Sequence, residues 1–254
     1  MKNAFVSQLQ RSAPLLVASL DGDDLASRME EAKELRADAV EIRLDLWGAS
    51  LRDDWSEKLP RLRKKIGLPI LVSFRGGQPF PSWWQPAHWR SLNDVAMIDI
   101  EWNSKYPWAE IQKNVQKIGT SLMISHHDFK QTPSVSALAK IARAAFSKKA
   151  DLVKFSTQVK SETDLRTLFK LSSEVAPKLV TVMGMGALGV LSRLAAPLFH
   201  SCLVYGYIGR PTANGQLPYR ELQDHFRRLY PRYEEQFLQR QKQLAAGGMA
   251  GVKA

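Results

Sequence analysis

Lys154 stands inside an apolar run, Leu152-Val153-Lys154-Phe155, and it is the residue with the strongest chemical signal in the chain. Burying a lysine disfavours its ammonium form and makes a neutral, nucleophilic amine available, as covalent chemistry on a carbonyl requires. Other polar residues close similar apolar runs: Glu41 and Arg43 in Val40-Glu41-Ile42-Arg43-Leu44-Asp45, Arg75 after Ile70-Leu71-Val72-Ser73-Phe74, and His127 after Met123-Ile124-Ser125-His126. A neutral Lys154 would attack a ketone and form an imine, whose protonated form acidifies the neighbouring carbon. His127, whose type titrates near neutrality, would move protons to and from that carbon, and an arginine fork would hold a carboxylate in two hydrogen bonds. The set suits a ketone that also carries a carboxylate.

Residues so far apart in sequence can meet only if the strands that carry them end together. Eight short runs rich in Val, Ile and Leu are present: 15–20, 39–45, 70–75, 97–101, 121–127, 152–157, 179–184 and 202–208. They do not strictly alternate, as expected of parallel strands covered on both faces. Helical apolar spacing follows between them, as at Leu25, Met29, Ala32 and Leu35, and at Val135, Leu138, Ile141, Ala142 and Ala145. Eight strand-then-helix units predict an α/β fold, a single-domain TIM (β/α)8 barrel, whose active site lies at the carboxyl ends of the strands. An extra C-terminal helix is expected after the eighth strand, from Tyr219 to Tyr230 and, beyond Pro231, to about Leu244. The barrel domain then covers 1–244 and a frayed, flexible tail 245–254.

The 254 residues suit one barrel of this kind. Cys202 is the sole cysteine, which rules out an intrachain disulfide and a thiolate cluster and fits a reducing, cytoplasmic compartment. The amino terminus lacks the pattern of a secretion signal, and no run is long and apolar enough to span a bilayer, so no membrane partner is expected. The net charge of +11 is spread along the chain, with short clusters such as Arg61-Leu62-Arg63-Lys64-Lys65 mixed with acids. That distribution reads as solvated helix faces and a site for a small anion, with no nucleic-acid partner.

Taken together, the motifs resemble type I 3-dehydroquinate dehydratases of the shikimate pathway. The matching pieces are Glu41-Ile42-Arg43-Leu44-Asp45, Ser73-Phe74-Arg75, Ile98-Asp99-Ile100-Glu101, Ser125-His126-His127-Asp128-Phe129, Val153-Lys154, Met185-Gly186-Ala187-Leu188-Gly189 with Ser192-Arg193, and Pro211-Thr212-Ala213-Asn214-Gly215-Gln216. They occur in the family's order over nearly the whole chain. The resemblance implies a lyase that removes water from 3-dehydroquinate by syn elimination, without metal or organic cofactor. It implies Lys154 as the Schiff-base lysine and His127 as general acid and base. Glu41, Arg43 and Arg75 would meet the substrate hydroxyls and ring, Arg193 the carboxylate, and Gln216 with the loop at Thr212 the far side. Two departures stand out. The acidic residue usual in the lid after the third-strand arginine is missing from Arg75-Gly76-Gly77-Gln78-Pro79-Phe80, and Thr212 replaces a serine.

Simpler readings compete at several positions. His127 alone would be a structural histidine, and Glu41 with Arg43, two apart on one strand face, a mere salt bridge. Asp45, Asp99 and Glu101 offer oxygen ligands for a divalent metal but lack a cluster at ligand spacing, while Asp99 and Glu101 share a strand face from which one would orient an active-site partner. His126 points away from His127 in a regular strand. The glycines of Gly184-Met185-Gly186-Ala187-Leu188-Gly189 open the helix bearing Arg193 rather than cradle a phosphate, and Trp83-Trp84 with Trp89 would pack over the barrel mouth. A class I aldolase shares the lysine chemistry, and an inactive barrel serving as a binding protein is the alternative of another class. Phe237 and Leu238 of the last helix would pack on the barrel or on a second subunit, which leaves a homodimer open.

Overall fold

The computed structural model describes residues 4–11, 13–22, 24–46, 55–75, 86–93, 95–104 and 107–250. Eight parallel strands form the centre: β1 Leu15–Leu20, β2 Ala39–Arg43, β3 Ile70–Phe74, β4 Met97–Glu101, β5 Ser121–Asp128, β6 Leu152–Gln158, β7 Leu179–Met185 and β8 Leu203–Ile208. Each of the eight apolar runs is therefore a strand, with ends shifted by two residues at most. Neighbours in sequence are neighbours in the sheet from β1 to β7, and β8 lies against β1 with Leu15 opposite Leu203 and Leu20 opposite Ile208. The seam between β7 and β8 is closed by a bridge at Val180 and Ser201 and by hydroxyls standing in for ladder partners. Ser201 Oγ accepts from Val182 N–H at 3.1 Å and Thr181 Oγ1 from Leu203 N–H at 3.1 Å. The result is the (β/α)8 barrel.

Helices form the outer layer: α1 Ala4–Arg11, α2 Leu25–Glu34, α3 Trp55–Ile66, α4 Trp108–Ile118, α5 Val135–Ser147, α6 Glu162–Val175, α7 Gly189–Ala195, α8 Tyr219–Leu229 and α9 Pro231–Ala250. Their starts follow from local chemistry. Ser134 caps α5, and Ser161 with Asp164 forms a reciprocal capping box at α6. Two features depart from the expected pattern. Between β3 and β4 the described residues form only a 3-10 segment, Pro86–Leu92, which buries Trp89 in the outer core rather than over the mouth. The final helix runs unbroken to Ala250, past Leu244, where the sequence reading ended it and began a tail. Trp83, Trp84 and the residues that replace the lid lie outside the described residues.

The core has two parts, as a barrel requires. An outer layer of Val, Ile, Leu and Phe fills the space between strands and helices. An inner cluster fills the bore at the amino-terminal end with Leu15, Val17, Leu71, Met97, Met123, Leu152, Leu179 and Leu203, and α1 closes that end by adding Phe5, Val6 and Leu9. Further along each strand the inward positions change character to Ser19, Glu41, Ser73, Asp99, Ser125, Lys154 and Thr181, all nearly inaccessible to solvent. The bore is thus apolar at its base and charged towards the carboxyl end.

Candidate active site

Lys154 points into the bore from β6, with Ser125 of β5 and Thr181 of β7 as its strand neighbours. The side chain is fully buried, and its amine is not alone. Nζ makes an ion pair with Asp99 of β4, lies 3.5 Å from Glu41 Oε1 of β2, and sits 4.9 Å from the ring centre of Tyr205 of β8. Two carboxylates, from strands two positions apart around the bore, converge on it. A buried charge held in this way avoids the large cost of an isolated one.

Glu41 is fixed from both sides, accepting from Ser19 Oγ at 2.5 Å and Ser73 Oγ at 2.6 Å. Burial alone would raise its carboxyl, but the charges of Lys154, Arg75 and Arg43 outweigh burial and hold it well below the usual range, so it is ionised. Arg43 lies beside it and forms a two-point pair with Asp45, at 2.9 Å and 2.6 Å. Ser19 carried no signal in the sequence, and Ser73 entered only as part of Ser73-Phe74-Arg75.

His127 lies near the end of β5, two residues beyond the Lys154 level, opposite Ser156. Its Nδ1 lies 2.5 Å from Glu101 Oε2, and its backbone N–H donates to Glu101 Oε1 at 3.1 Å. The other ring nitrogen, Nε2, is buried without a protein partner. Burial first, then the positive charges of Arg75 and Lys154, press the ring well below its ordinary value, so it is neutral at neutral pH. The exposed Phe129 stacks on the imidazole at 6.1 Å. His126 turns to the outer layer, edge-on to Phe155.

Arg193 enters from α7. That short helix packs so closely on β7 that a Cβ on Gly189 would come within 2.5 Å of the Gly184 backbone, which explains the glycines there as a packing requirement. Arg193 Nε donates to Gly215 O at 2.9 Å and Nη1 to Tyr205 O at 3.3 Å, while Nη2 is buried without a protein partner. Burial, helped by the charge of Arg75, lowers this guanidinium to about 10. The loop after β8 is self-braced: Thr212 donates from its N–H and its hydroxyl to Gln216 Oε1, at 2.9 Å and 3.0 Å. Gly215, between them, ties that loop to Arg193. Arg75 follows β3, and its charge bears on Glu41, Glu101, His127 and Arg193 together, with a buried Nε that has no protein partner.

The structure therefore gathers Glu41, Arg43, Arg75, His127, Lys154 and Arg193 at one end of the bore, with Thr212 and Gln216 joined to Arg193 through their loop. Sequence reasoning saw Asp99 and Glu101 as a same-face pair of which one would orient a partner; both do, one at Lys154 and one at His127. Asp45, Asp99 and Glu101 each engage a cation or ring and do not face one another, and among the described residues no group of His, Cys, Asp and Glu is arranged to hold a metal ion. An open groove of about 640 Å³ lies at the opposite end of the barrel, between Ala13, Pro177, Leu198 and Tyr230, and includes none of these residues.

With this geometry in hand, comparison with known proteins is specific. The family model described as type I 3-dehydroquinase matches residues 15–231. The 3-dehydroquinate dehydratase of Methanocella arvoryzae is 30% identical over 233 residues, covering 85% of this chain and 97% of its own. That of Methanothrix thermoacetophila is 33% identical over 229 residues, covering 84% and 91%. Among solved structures, 3-dehydroquinate dehydratase from Geobacillus kaustophilus superposes with a TM-score of 0.73 at 25% identity, over 85% of this chain and 92% of that one. The Aquifex aeolicus enzyme gives 0.75 at 24% identity, over 85% and 99%, and supports the fold. Matched along its barrel from β1 to the start of α9, the chain belongs to the type I 3-dehydroquinase family.

Proposed function

We propose that this chain is a lyase that dehydrates 3-dehydroquinate to 3-dehydroshikimate through a Schiff base on Lys154. One observation carries the reading: a buried amine held by two carboxylates beside a neutral histidine, within a rim of N–H groups on Arg43, Arg75 and Arg193 that have no protein partner. Those donors are the complement of an anionic, hydroxylated substrate, since buried N–H groups are costly unless a ligand meets them. Arg193 Nη2 takes the carboxylate. Glu41 and Arg43 meet hydroxyls, and Gln216, braced by Thr212, closes the far side.

The steps follow from the groups present. Lys154 gives its proton to Asp99, the acceptor in contact with Nζ, and the amine adds to the ketone carbon; loss of water leaves an iminium ion. His127 Nε2 takes a proton from the adjacent carbon, and the electrons move into the iminium to form an enamine. Their return expels the hydroxyl on the next carbon, protonated by the same imidazolium, as water. Hydrolysis of the conjugated imine frees the product and restores Lys154. The aldolase alternative needs phosphate contacts after β7 and β8. Arg210 is instead paired with Asp21 at 3.6 Å, and Arg193 leaves only Nη2 for a ligand.

The working partner is a small anion, so the arginines of the site face inward and serve no nucleic acid. A cytoplasmic location fits the single cysteine, whose buried thiol is pushed up to about 12 and is chemically quiet. Phe237 packs on the barrel and Leu238 stays exposed, while Leu191 and Leu198, exposed at 53% and 70%, offer apolar surface that a second copy would cover in a homodimer. The test of function is absorbance in the conjugated-enone band after adding 3-dehydroquinate. A rise is expected with the native chain and none with Lys154→Ala; no rise with folded native chain would contradict the proposal.

A further inference from the structure

The loop after β8 carries Thr212 and Gln216, and its two ends are held by different means. Its far end is tied by backbone, since Tyr207 N–H donates to Leu217 O at 2.9 Å. Its near end is tied by a side chain. β1 and β8 run side by side until Leu20 lies opposite Ile208, so Asp21 and Gly209 come level just as both strands end. There Asp21 Oδ2 accepts from the Arg210 backbone N–H at 2.9 Å. The same carboxylate, 5% exposed, lies 3.4 Å from Arg28 Nε of α2 and 3.6 Å from Arg210 Nε. Gly209 permits the approach: its φ is +90°, and a Cβ there would stand 2.6 Å from both Asp21 Oδ2 and Arg28 Nε. A carboxylate so nearly buried is costly without partners, and these three donors supply them.

We propose that Asp21 is a positioning residue that clasps the start of this loop to β1 and α2 and thereby fixes Gln216 against the substrate. This deepens the dehydratase reading and rests on it. The link runs through Thr212, two residues beyond the clasped N–H. Gln216 Oε1 is occupied by the Thr212 N–H and hydroxyl, so the N–H groups of its side-chain amide are what remain to meet an anionic, hydroxylated ligand. If the Arg210 end drifts, Thr212 drifts with it and the amide loses its aim. Asp21 itself takes no part in the chemistry at Lys154. A loop ordered before the substrate arrives costs less to immobilise on binding, so the clasp acts on substrate affinity rather than on the bond-breaking steps.

The test uses the full-length chain with Asp21→Asn, Gln216→Ala and the two combined. An asparagine keeps one acceptor oxygen but turns an amide, itself a donor, towards the arginines, so the clasp should open. KM for 3-dehydroquinate should rise about tenfold, the scale of one lost hydrogen bond to a charged group, while kcat changes less than about twofold. Gln216→Ala should raise KM to a similar degree, and the double variant no further, because both changes remove one contact. An unchanged KM in Asp21→Asn, or a rise that multiplies with that of Gln216→Ala, overturns the proposal. Hydrogen exchange across residues 209–218 reads the clasp without substrate. It should quicken in Asp21→Asn, and unchanged exchange also overturns the proposal. If Asp21→Asn does not fold, Gly209→Ala, which drives a Cβ against the same carboxylate, takes its place in every measurement. If the native chain turns over no 3-dehydroquinate, the dehydratase reading fails instead, and hydrogen exchange still decides whether Asp21 holds the loop.

Discussion

At the scale of single residues, the site works by opposing burial with paired charge. Lys154 is inaccessible to solvent yet held by Asp99 and Glu41, and Glu41 stays ionised because three cations outweigh its burial. His127 shows the opposite outcome: burial and the charges of Arg75, Lys154 and Arg43 keep it neutral. Its folded value lies below the ordinary 6.5, so the base should stay functional as pH falls, and the acid limb of kcat/KM should lie below pH 6.5. A limb at or above 6.5 would show that the ring is not held neutral. His127→Ala should lower kcat by about 10²–10⁴ while substrate is still trapped on Lys154 by borohydride. Lys154 and His127 were legible in the sequence because each breaks an apolar run. Asp99 and Glu101 were legible only as a same-face pair of which one would orient a partner; which cation or ring each meets was not, since they lie 55 and 26 residues from Lys154 and His127, and Ser19 looks like any strand serine.

Secondary-structure elements decide where those residues point. All eight strands could be read from Val, Ile and Leu content, because a parallel strand buried on both faces leaves a continuous apolar run. α1 could not: eight residues with three apolar contacts, Phe5, Val6 and Leu9, carry too little periodicity, and only the open base of the bore gives them a partner. The connection from β3 to β4 was read as another helix, yet its described part is a 3-10 segment anchored by Trp89. The α7 contact on β7 is the tightest constraint on Arg193. Gly189→Ala places a Cβ 2.5 Å from the Gly184 carbonyl carbon, which the backbone can relieve only by lifting the helix. The expected cost is about 1–3 kcal/mol in urea unfolding, together with a KM raised more than kcat is lowered, since Arg193 moves with the helix. Unchanged stability and KM would mean that α7 is free to shift.

For the whole molecule, the apolar base and the charged top divide stability from chemistry along the barrel axis. The base is further tied by α8 and α9. Asp38, ahead of β2, accepts from Leu16 N–H at 2.8 Å and lies 2.6 Å from Arg240, while Gln236 accepts from Ala13 N–H at 3.2 Å. Burial pushes the Asp38 carboxyl up to about 6, against the partial relief given by Arg240. Between the ordinary carboxyl range and pH 6 the folded chain therefore holds a proton that the unfolded chain has released. Stability from this group is greatest in acid and is lost as pH rises through 6. Asp38→Asn should remove about 1 kcal/mol of the native chain's stability difference between pH 5 and pH 7, read from urea midpoints; an identical difference in both would refute it. The overall architecture was legible because eight polar-ended apolar runs admit few topologies. What the sequence could not convey is which carboxylate meets which cation inside the bore, since that depends on strand stagger. The central claim is the imine on Lys154. It is tested most directly by adding borohydride to the protein with 3-dehydroquinate and locating the mass increase by peptide mapping. A reduced adduct on the peptide bearing Lys154, absent in Lys154→Ala, is the expected result; turnover without any adduct on Lys154 would contradict the account.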